Sequence, residues 1–460
     1  MAKSAIKKYW WIFIPPIFHV LASFSFTFTY WPEMLDWPRA MAQGWLPYRD
    51  FTMIYTPLIP LLIMLSGKIF GFTPLNLHLL GTFLLALTNA LLVFAAYRLT
   101  RNKIISLLLG GLYLYLTLAF EGNTLAPANL LTPLFFGICL LQLSYLKNNK
   151  TVLLFLSGIL MGLAFLTKQT TAYVLPEFPL LLSYLYFKRR RVRLIAPAFK
   201  AFVFPLLLII TFFLLILISL NILGDFYNWG VKFSLLLPTL TQKAKVSDIL
   251  FPSSRHIPLL LGFCFLALSV VILRKNFISF FLFSWIILIS LFIFPRFAYA
   301  HLLPAIAVFL LLIAEIYPLS KKKPLALAAA FIIIFLMAWP IFKKTRLESR
   351  TYLEPDIILM ADYLSKTYPS SSLYIINSPE QIYFLTDKLP AVKPWVEQLP
   401  WQMAYFNQEF TLAFKTTPPD IVLYTPYKTN EFSPSLVPYL KENYSLVHSF
   451  PGGEQVLEKL

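Results

Sequence analysis

Carboxylates are scarce and unevenly placed along this chain of 460 residues. Of its 21 acidic residues, thirteen crowd into the stretch after residue 342. Seven others are scattered before it: Glu33, Asp36, Asp50, Glu121, Glu177, Asp225 and Asp248, with Glu315 standing apart. A carboxylate can serve as a general base for a hydroxyl if something positions it and tunes its proton affinity. Other chemistries lack their residues. There is no Walker-type glycine loop for nucleotide phosphates. There is also no His-x-x-Glu-His motif and no Cys/His cluster of the kind that holds zinc. Cys139 and Cys264 lie inside apolar runs, so no disulfide framework is implied.

The elements that must carry these acids are membrane helices. Hydrophobic residues make up 58% of the chain and charged residues only 13%, with a mean hydropathy of +0.70. A soluble globular enzyme and a disordered chain are both excluded. A spanning helix needs about 20 mostly apolar residues. Eleven such runs are predicted, near 9–29, 77–97, 104–120, 127–145, 151–168, 172–187, 201–221, 257–273, 277–294, 301–318 and 325–342. The first is too long and aromatic for a signal peptide, and no small-residue cleavage site follows it.

The net charge of +18 sorts along these connections. Nineteen basic residues fall on alternate ones: Lys3, Lys7 and Lys8, then Arg98, Arg101 and Lys103, then Lys147 and Lys150, and so on to Lys321–Lys323. No Asp or Glu accompanies them. By the positive-inside rule these connections and the N-terminus are cytoplasmic, in a multi-pass protein of the cytoplasmic membrane. An odd number of spans then places the tail outside. The charge is a topology signal and says nothing of nucleic acid. Carboxylate chemistry is confined to the outer side or the membrane.

The long first outer connection, about 30–76, holds the most information. Trp37, Ala40, Met41 and Gly44 fall at helical spacing, so a short amphipathic helix is predicted from near Asp36 to Gly44. A second apolar run, Leu58 to Phe70, is too short to span comfortably and is expected along the membrane surface. Trp31, Trp37, Trp45 and Tyr48 suit the headgroup level. Here the chain resembles a known family. Glu33 and Asp36, then Gly44-Trp-Leu-Pro47-Tyr48-Arg49-Asp50-Phe51, Tyr55-Thr-Pro57-Leu58 and Phe70-Gly71 resemble the first outer loop of GT-C glycosyltransferases. More narrowly, they are similar to the clan of protein O-mannosyltransferases and aminoarabinose transferases, with its Rgt-like lipopolysaccharide branch (the glycosyltransferase family 39 type). Gly158-x-x-x-Gly162 through Thr167-Lys168-Gln169 resembles that clan's glycine-rich helix ending in Lys-Gln. Pro295-Arg296-Phe-Ala-Tyr299-Ala-His301-Leu-Leu-Pro304 resembles its Arg-aromatic-His-Pro segment. The paired acidic dipeptide common at the start of that loop is missing; Glu33 and Asp36 stand three apart.

The resemblance implies an inverting transfer of a sugar from a polyprenyl-phosphate lipid to a glycan, lipid or protein acceptor on the outer face. With the dipeptide missing, Glu33, Asp36 and Asp50 are the alternatives for the base; Asp36 is the leading candidate, with Asp50 orienting or assisting. Each also has a plainer reading. Asp36 opens the predicted helix and suits an N-cap; Asp50 could pair with Arg49 or a turn amide; Glu33 beside Pro32 reads as a solvated loop acid. Tyr48 and Arg49, with Glu33, are the candidate substrate contacts in this loop. Lys168, Arg296 and His301 are the candidates for holding the donor phosphate. For Lys168 and Arg296 the alternative is snorkelling to lipid headgroups, and for His301 a satisfied helix-end histidine. Arg255, His256, Lys243 and Lys245 could contact phosphate or simply be solvated. Glu121 and Glu177 could face the same space. Gly158-x-x-x-Gly162 means close helix packing by default. No cofactor is indicated with certainty; a divalent cation held by outer carboxylates and donor phosphate is compatible with the sequence.

From residue 343 the composition changes to a near-neutral mixture with strand-like runs. A helix is predicted at Pro355–Lys366, and strands at Leu373–Ile376, Ile421–Tyr424 and Ser445–Phe450. Ser378-Pro379-Glu380-Gln381 reads as a helix start with a capping box, and another helix is expected near Ser435–Asn443. The fold class is therefore a polytopic α-helical membrane protein of GT-C type with a small extracytoplasmic α/β domain, divided as 1–342 and 343–460. No catalytic constellation is visible in the tail. The competing function, a transporter or flippase of lipid-linked glycans, would place polar groups along the span centres and show internal repeats. The span centres here are nearly free of charge, and no repeat is evident.

Overall fold

The computed structural model describes residues 9–187, 190, 192–236, 257–293, 298–317, 323–347, 354–393 and 400–460. By compactness the chain divides into two units: 1–28, 73–216 and 248–349 form one, and 29–72, 217–247 and 350–460 the other. The first outer connection thus shares a unit with the tail.

The first unit is a helical bundle around Leu303–Ala314, every residue of which is buried. A helix apolar on all sides belongs in a core. It packs against Pro74–Thr100, Lys103–Ala119, Pro127–Asn148 and Phe277–Ser290. Ile195–Ser219 does the opposite and exposes Phe204, Leu207, Leu208, Phe212 and Leu215, as a lipid-facing helix does. A Cβ on Gly158 would strike the Phe202 carbonyl and the Pro205 ring, and one on Gly162 would strike Ile209. The two glycines therefore let Thr151–Thr167 approach Ile195–Ser219 closely.

At one end of this unit the basic connections gather. Lys103 lies over the Trp11 ring, the Asn102 amide donates to the Tyr317 hydroxyl at 3.1 Å, and Arg274 pairs with Glu315 at 2.8 Å. At the opposite end the Asn123 amide donates to three carbonyls, of Ser23, Phe26 and Thr27, at 3.0–3.1 Å. The Phe120 and Tyr299 rings meet there edge to face.

Among the described residues three helices are long and apolar enough to cross a membrane: Pro74–Thr100, Pro127–Asn148 and Val192–Ser219. Eight more apolar helices run 10–17 residues. Pro74–Thr100 and Pro127–Asn148 extend beyond the runs predicted from hydropathy, whereas the α-helices within 9–29, 172–187, 277–294 and 301–318 are shorter than their runs. The run at 172–187 is the clearest case. Its first part is a tight 3-10 segment, Gln169–Val174, and a helix follows only from Glu177, after Pro176.

The second unit contains α1 (Pro32–Ala42) and α2 (Leu58–Phe70) from the first connection. Its later part holds α3 (Pro355–Thr367), β1 (Leu373–Ile376), α4 (Gln381–Thr386), α5 (Pro400–Thr416) and β2 (Ile421–Tyr424). It ends with α6 (Pro426–Phe432), α7 (Val437–Asn443), β3 (Tyr444–Ser449) and β4 (Gln455–Lys459). The sheet order is β1-β2-β4-β3, with β1 and β2 parallel and the rest antiparallel. Side chains alternate across it. Leu373 and Ile375 pack with Ile357, Met360 and Leu364 of α3, whereas Tyr374 and Ile376 pack with Phe410, Phe414 and Leu440. The residues between 217 and 236 join this second face, with Trp229 and Phe233 stacked around Phe406.

Two local readings are corrected. The first-loop helix begins at Pro32 rather than near Asp36, because Trp31 is extended and Pro32 takes the first helical position. Ser378 does not cap a helix: its hydroxyl is hydrogen-bonded to that of Thr425 at 2.7 Å, and α4 starts at Gln381.

Candidate active site

The helix shift changes what Asp36 and Glu33 are. Glu33 lies in the first turn of α1, where a carboxylate favours the helix dipole, and is not a free loop acid. Asp36 is a mid-helix residue on the buried face with Met34, Leu35, Trp37 and Ala40, so it caps nothing. It is 2% exposed, and neither carboxylate oxygen accepts a hydrogen bond among the described residues. Burial pushes its carboxyl well above the usual carboxylate range. The charge of Glu380 adds to this, Arg39 opposes it, and Glu33 adds a smaller push.

Arg39, one turn further along α1, is also buried. Its guanidinium Nη1 donates to the carbonyls of Tyr383 and Phe384, each at 2.9 Å, and its Nη2 pairs with Asp387. These carbonyls belong to the last turn of α4, where backbone acceptors lack helical partners. Asp387 closes the helix with φ +59°. Tyr383 is buried in the same place, its hydroxyl accepting the Ile375 N–H at 2.7 Å. Its proton is held tightly, mainly by burial and then by charges that include Glu380 and Asp36.

The next part of the loop is a turn locked from several sides. The Asp50 N–H donates to the Leu46 carbonyl at 2.9 Å, and the Leu46 N–H returns to the Asp50 carboxylate at 2.7 Å. Lys393 reaches the other Asp50 oxygen at 3.1 Å while lying 4.1 Å from the Trp45 ring centre. Tyr48 adopts φ +71°, costly for a bulky residue. It is held there by burial of its ring against Phe226 and by its hydroxyl, which donates to the Tyr55 carbonyl at 2.9 Å. Arg49 turns away from Asp50 to Asp225, at 3.3 Å, and to the Asn221 carbonyl. So Asp50 bonds the turn amide rather than Arg49.

Lys168 and His301 belong to the helical unit. Lys168 is the extended residue that ends Thr151–Thr167, and His301 is the half-buried residue of the otherwise buried turn Tyr299–Leu302. Glu121 has φ +59° and is exposed beyond Lys103–Ala119; Glu177 is fully buried at the start of its helix. Arg296, Asp248, Lys243, Lys245, Arg255 and His256 lie outside the described residues. Among the described residues no three His, Cys, Asp or Glu side chains are grouped so that they could hold a metal ion.

Sequence reasoning missed Arg39, Glu380 and Lys393. Arg39 had one available signal, its i,i+3 placement from Asp36 on a helix. Glu380 and Lys393 had none, since the acid each acts on, Asp36 and Asp50, lies more than 340 residues away along the chain.

Residues 55–218 match the model of the dolichyl-phosphate-mannose-protein mannosyltransferase family. That stretch contains Lys168 and begins beyond Asp36 and Asp50. The fold is similar to the crystal structure of ArnT from Cupriavidus metallidurans bound to undecaprenyl phosphate. The TM-score is 0.65 at 13% identity, over 97% of this chain and 96% of that one. It is also similar to the archaeal oligosaccharyltransferase AglB from Archaeoglobus fulgidus, in complex with an inhibitory peptide and a dolichol-phosphate. There the TM-score is 0.55 at 12% identity, over 99% of this chain and 75% of that one. No curated protein sequence matches the chain. The fold of this chain is that of these two structures.

Proposed function

We propose, from the premise that this chain has the GT-C fold, that it is a membrane glycosyltransferase using a polyprenyl-phosphate sugar. The acceptor is a glycan, lipid or protein of the cell envelope. Its hydroxyl oxygen attacks the anomeric carbon as the bond from that carbon to the phosphate oxygen breaks. One displacement inverts the anomeric centre. Polyprenyl phosphate leaves with the bonding electrons, and the hydroxyl proton passes to Asp36.

The observation that carries this reading is the Asp36 carboxylate, buried, on a helix of the first loop, with both oxygens free of hydrogen bonds among the described residues. A raised proton affinity suits a base that must take a proton near neutral pH. Asp50, in its locked turn, orients the acceptor; Arg49 and Glu33 shape the surface it meets, while Tyr48, a predicted contact that is buried, holds the turn from within. Lys168, Arg296 and His301 hold the phosphate as its charge develops, the role cations take in such transfers. The membrane region is 1–342 and the α/β tail 343–460, with the basic connections and N-terminus on the cytoplasmic side and the tail outside.

The test uses the purified protein with a panel of polyprenyl-phosphate sugars, following release of polyprenyl phosphate. Wild type is expected to release it with at least one donor. Asp36→Asn should lower turnover by about 10²–10⁴-fold, and full turnover in that variant would remove Asp36 as base. No release by wild type with any donor, together with movement of a lipid-linked glycan across vesicles, would replace the transferase by a transporter.

A further inference from the structure

We propose that the end of the helical unit where the basic connections gather carries a lipid site, a groove that seats one anionic phospholipid of the bilayer. Its headgroup phosphate rests on Lys275, and an acyl chain lies along Tyr184, Phe187, Val271 and Phe280. The groove encloses about 490 Å³ between the helix Glu177–Phe187 and the pair Ile257–Arg274 and Phe277–Ser290. All of these residues lie in the helical unit. The Tyr184 and Phe277 rings fix one wall, stacked with their centres 3.6 Å apart. Phe187 and Phe280 are exposed beside them, as apolar side chains that meet a membrane are. The space admits a flexible chain but not a further helix, which is ~10 Å across.

Charge decides which lipid fits. Arg274 is spent on Glu315 at 2.8 Å, so it offers nothing to a headgroup. Lys275 lines the groove and is exposed, and its ammonium has no ion pair or hydrogen bond among the described residues. A tight turn presents it. Lys275 has φ +49°, and its N–H donates to the Val271 carbonyl at 2.9 Å, closing the first helix. Asn276 opens the next helix, its side-chain oxygen accepting the Ser279 N–H at 2.8 Å. No acid on the lining helices opposes an anion. From Phe178 to Lys200 the sequence holds six basic residues and no Asp or Glu, five of them from Lys188 to Arg193, directly after Phe187. Ile257 to Ala314 also holds no Asp or Glu. Basic pockets between membrane helices on the cytoplasmic side hold phospholipid headgroups in this way. The donor phosphate, assigned above to the outer side, lies at the other depth. Such a site needs the chain to lie in a membrane and does not depend on sugar transfer.

The experiment uses the full-length protein in detergent and phosphatidylglycerol with a photoreactive acyl chain, with phosphatidylcholine as the zwitterionic control. Wild type should crosslink within 180–187 and 271–280. Unlabelled phosphatidylglycerol should suppress that labelling at a lower concentration than phosphatidylcholine does. Lys275→Asn, which suits the left-handed turn, should weaken phosphatidylglycerol about fivefold and leave phosphatidylcholine unchanged. Lys275→Arg should stay near wild type, and the thermal midpoints of both variants in lipid-free detergent check that the turn is intact. Val271→Trp, which fills the groove, should lower labelling by either lipid. Equal phosphatidylglycerol affinity in wild type and Lys275→Asn would overturn the site, as would labelling confined to other segments. Displacement by polyprenyl phosphate at a lower concentration than by phosphatidylglycerol would give the groove to the donor lipid and overturn it too. Release of polyprenyl phosphate by wild type, measured separately, tests the transferase and is untouched by these results.

Discussion

Two carboxylates in this molecule are equally buried and are treated in opposite ways. Glu315, in the helical unit, is 2% exposed, and Arg274 meets it through both Nε and Nη2 at 2.8 Å. Asp36, in the other unit, is also 2% exposed, but its neighbouring arginine is turned to the carbonyls of Tyr383 and Phe384. Burying a charge costs several kcal/mol unless a partner compensates it. Glu315 has that partner and is a structural element; Asp36 lacks it and keeps a free pair of oxygens. The difference teaches where to look for chemistry: at buried acids that the fold leaves unsatisfied, which among the described residues are Asp36 and Glu177.

Breaking the Glu315 pair should have the largest effect on stability. Arg274→Ala leaves Glu315 buried without its partner and should cost about 3–5 kcal/mol, read as a lowered unfolding midpoint in detergent. Arg39→Ala comes next. It strips charge-assisted hydrogen bonds from the end of α4 and should cost about 1.5–3 kcal/mol, with loss of turnover alongside.

Asp36→Asn should move in the other direction. Because the folded-state pKa of Asp36 is raised, its contribution to stability is fully present below the ordinary carboxylate pKa. That contribution is lost as pH rises toward the folded value. The Asn variant escapes that loss, so its thermal midpoint should equal wild type near pH 4 and exceed it increasingly at higher pH. An Asp36→Asn protein less stable than wild type at pH 8 would erase the contrast with Glu315. The smallest effect belongs to Lys393→Ala. The Lys393–Asp50 pair is 46% and 23% exposed, so its loss should change stability by under about 1 kcal/mol, less at high salt.

What could be read in advance follows the range of the forces involved. Strands at Leu373–Ile376 and Ile421–Tyr424 and the helix from Pro355 are where local patterning placed them. β4, Gln455–Lys459, was missed because Glu458 and Lys459 dilute its apolar pattern; only pairing with β2 and β3 makes it a strand. The capping reading of Ser378 failed for a related reason. A hydroxyl that could serve a local N–H is taken by Thr425, 47 residues away.

The amino-acid sequence by itself determined the apolar runs, the alternation of basic connections and the confinement of acids, because hydropathy and charge act over one helix or one loop. It also marked the first connection as the place to search. Only the tertiary structure decided that Asp36 lies mid-helix with its oxygens unpartnered among the described residues, that Asp50 accepts a turn amide and Lys393, and that Arg39 is clamped by α4. Those outcomes depend on residues hundreds of positions apart meeting in a buried place. There, desolvation and the few charges within reach set the protonation of each group, and no local pattern encodes which charges those will be.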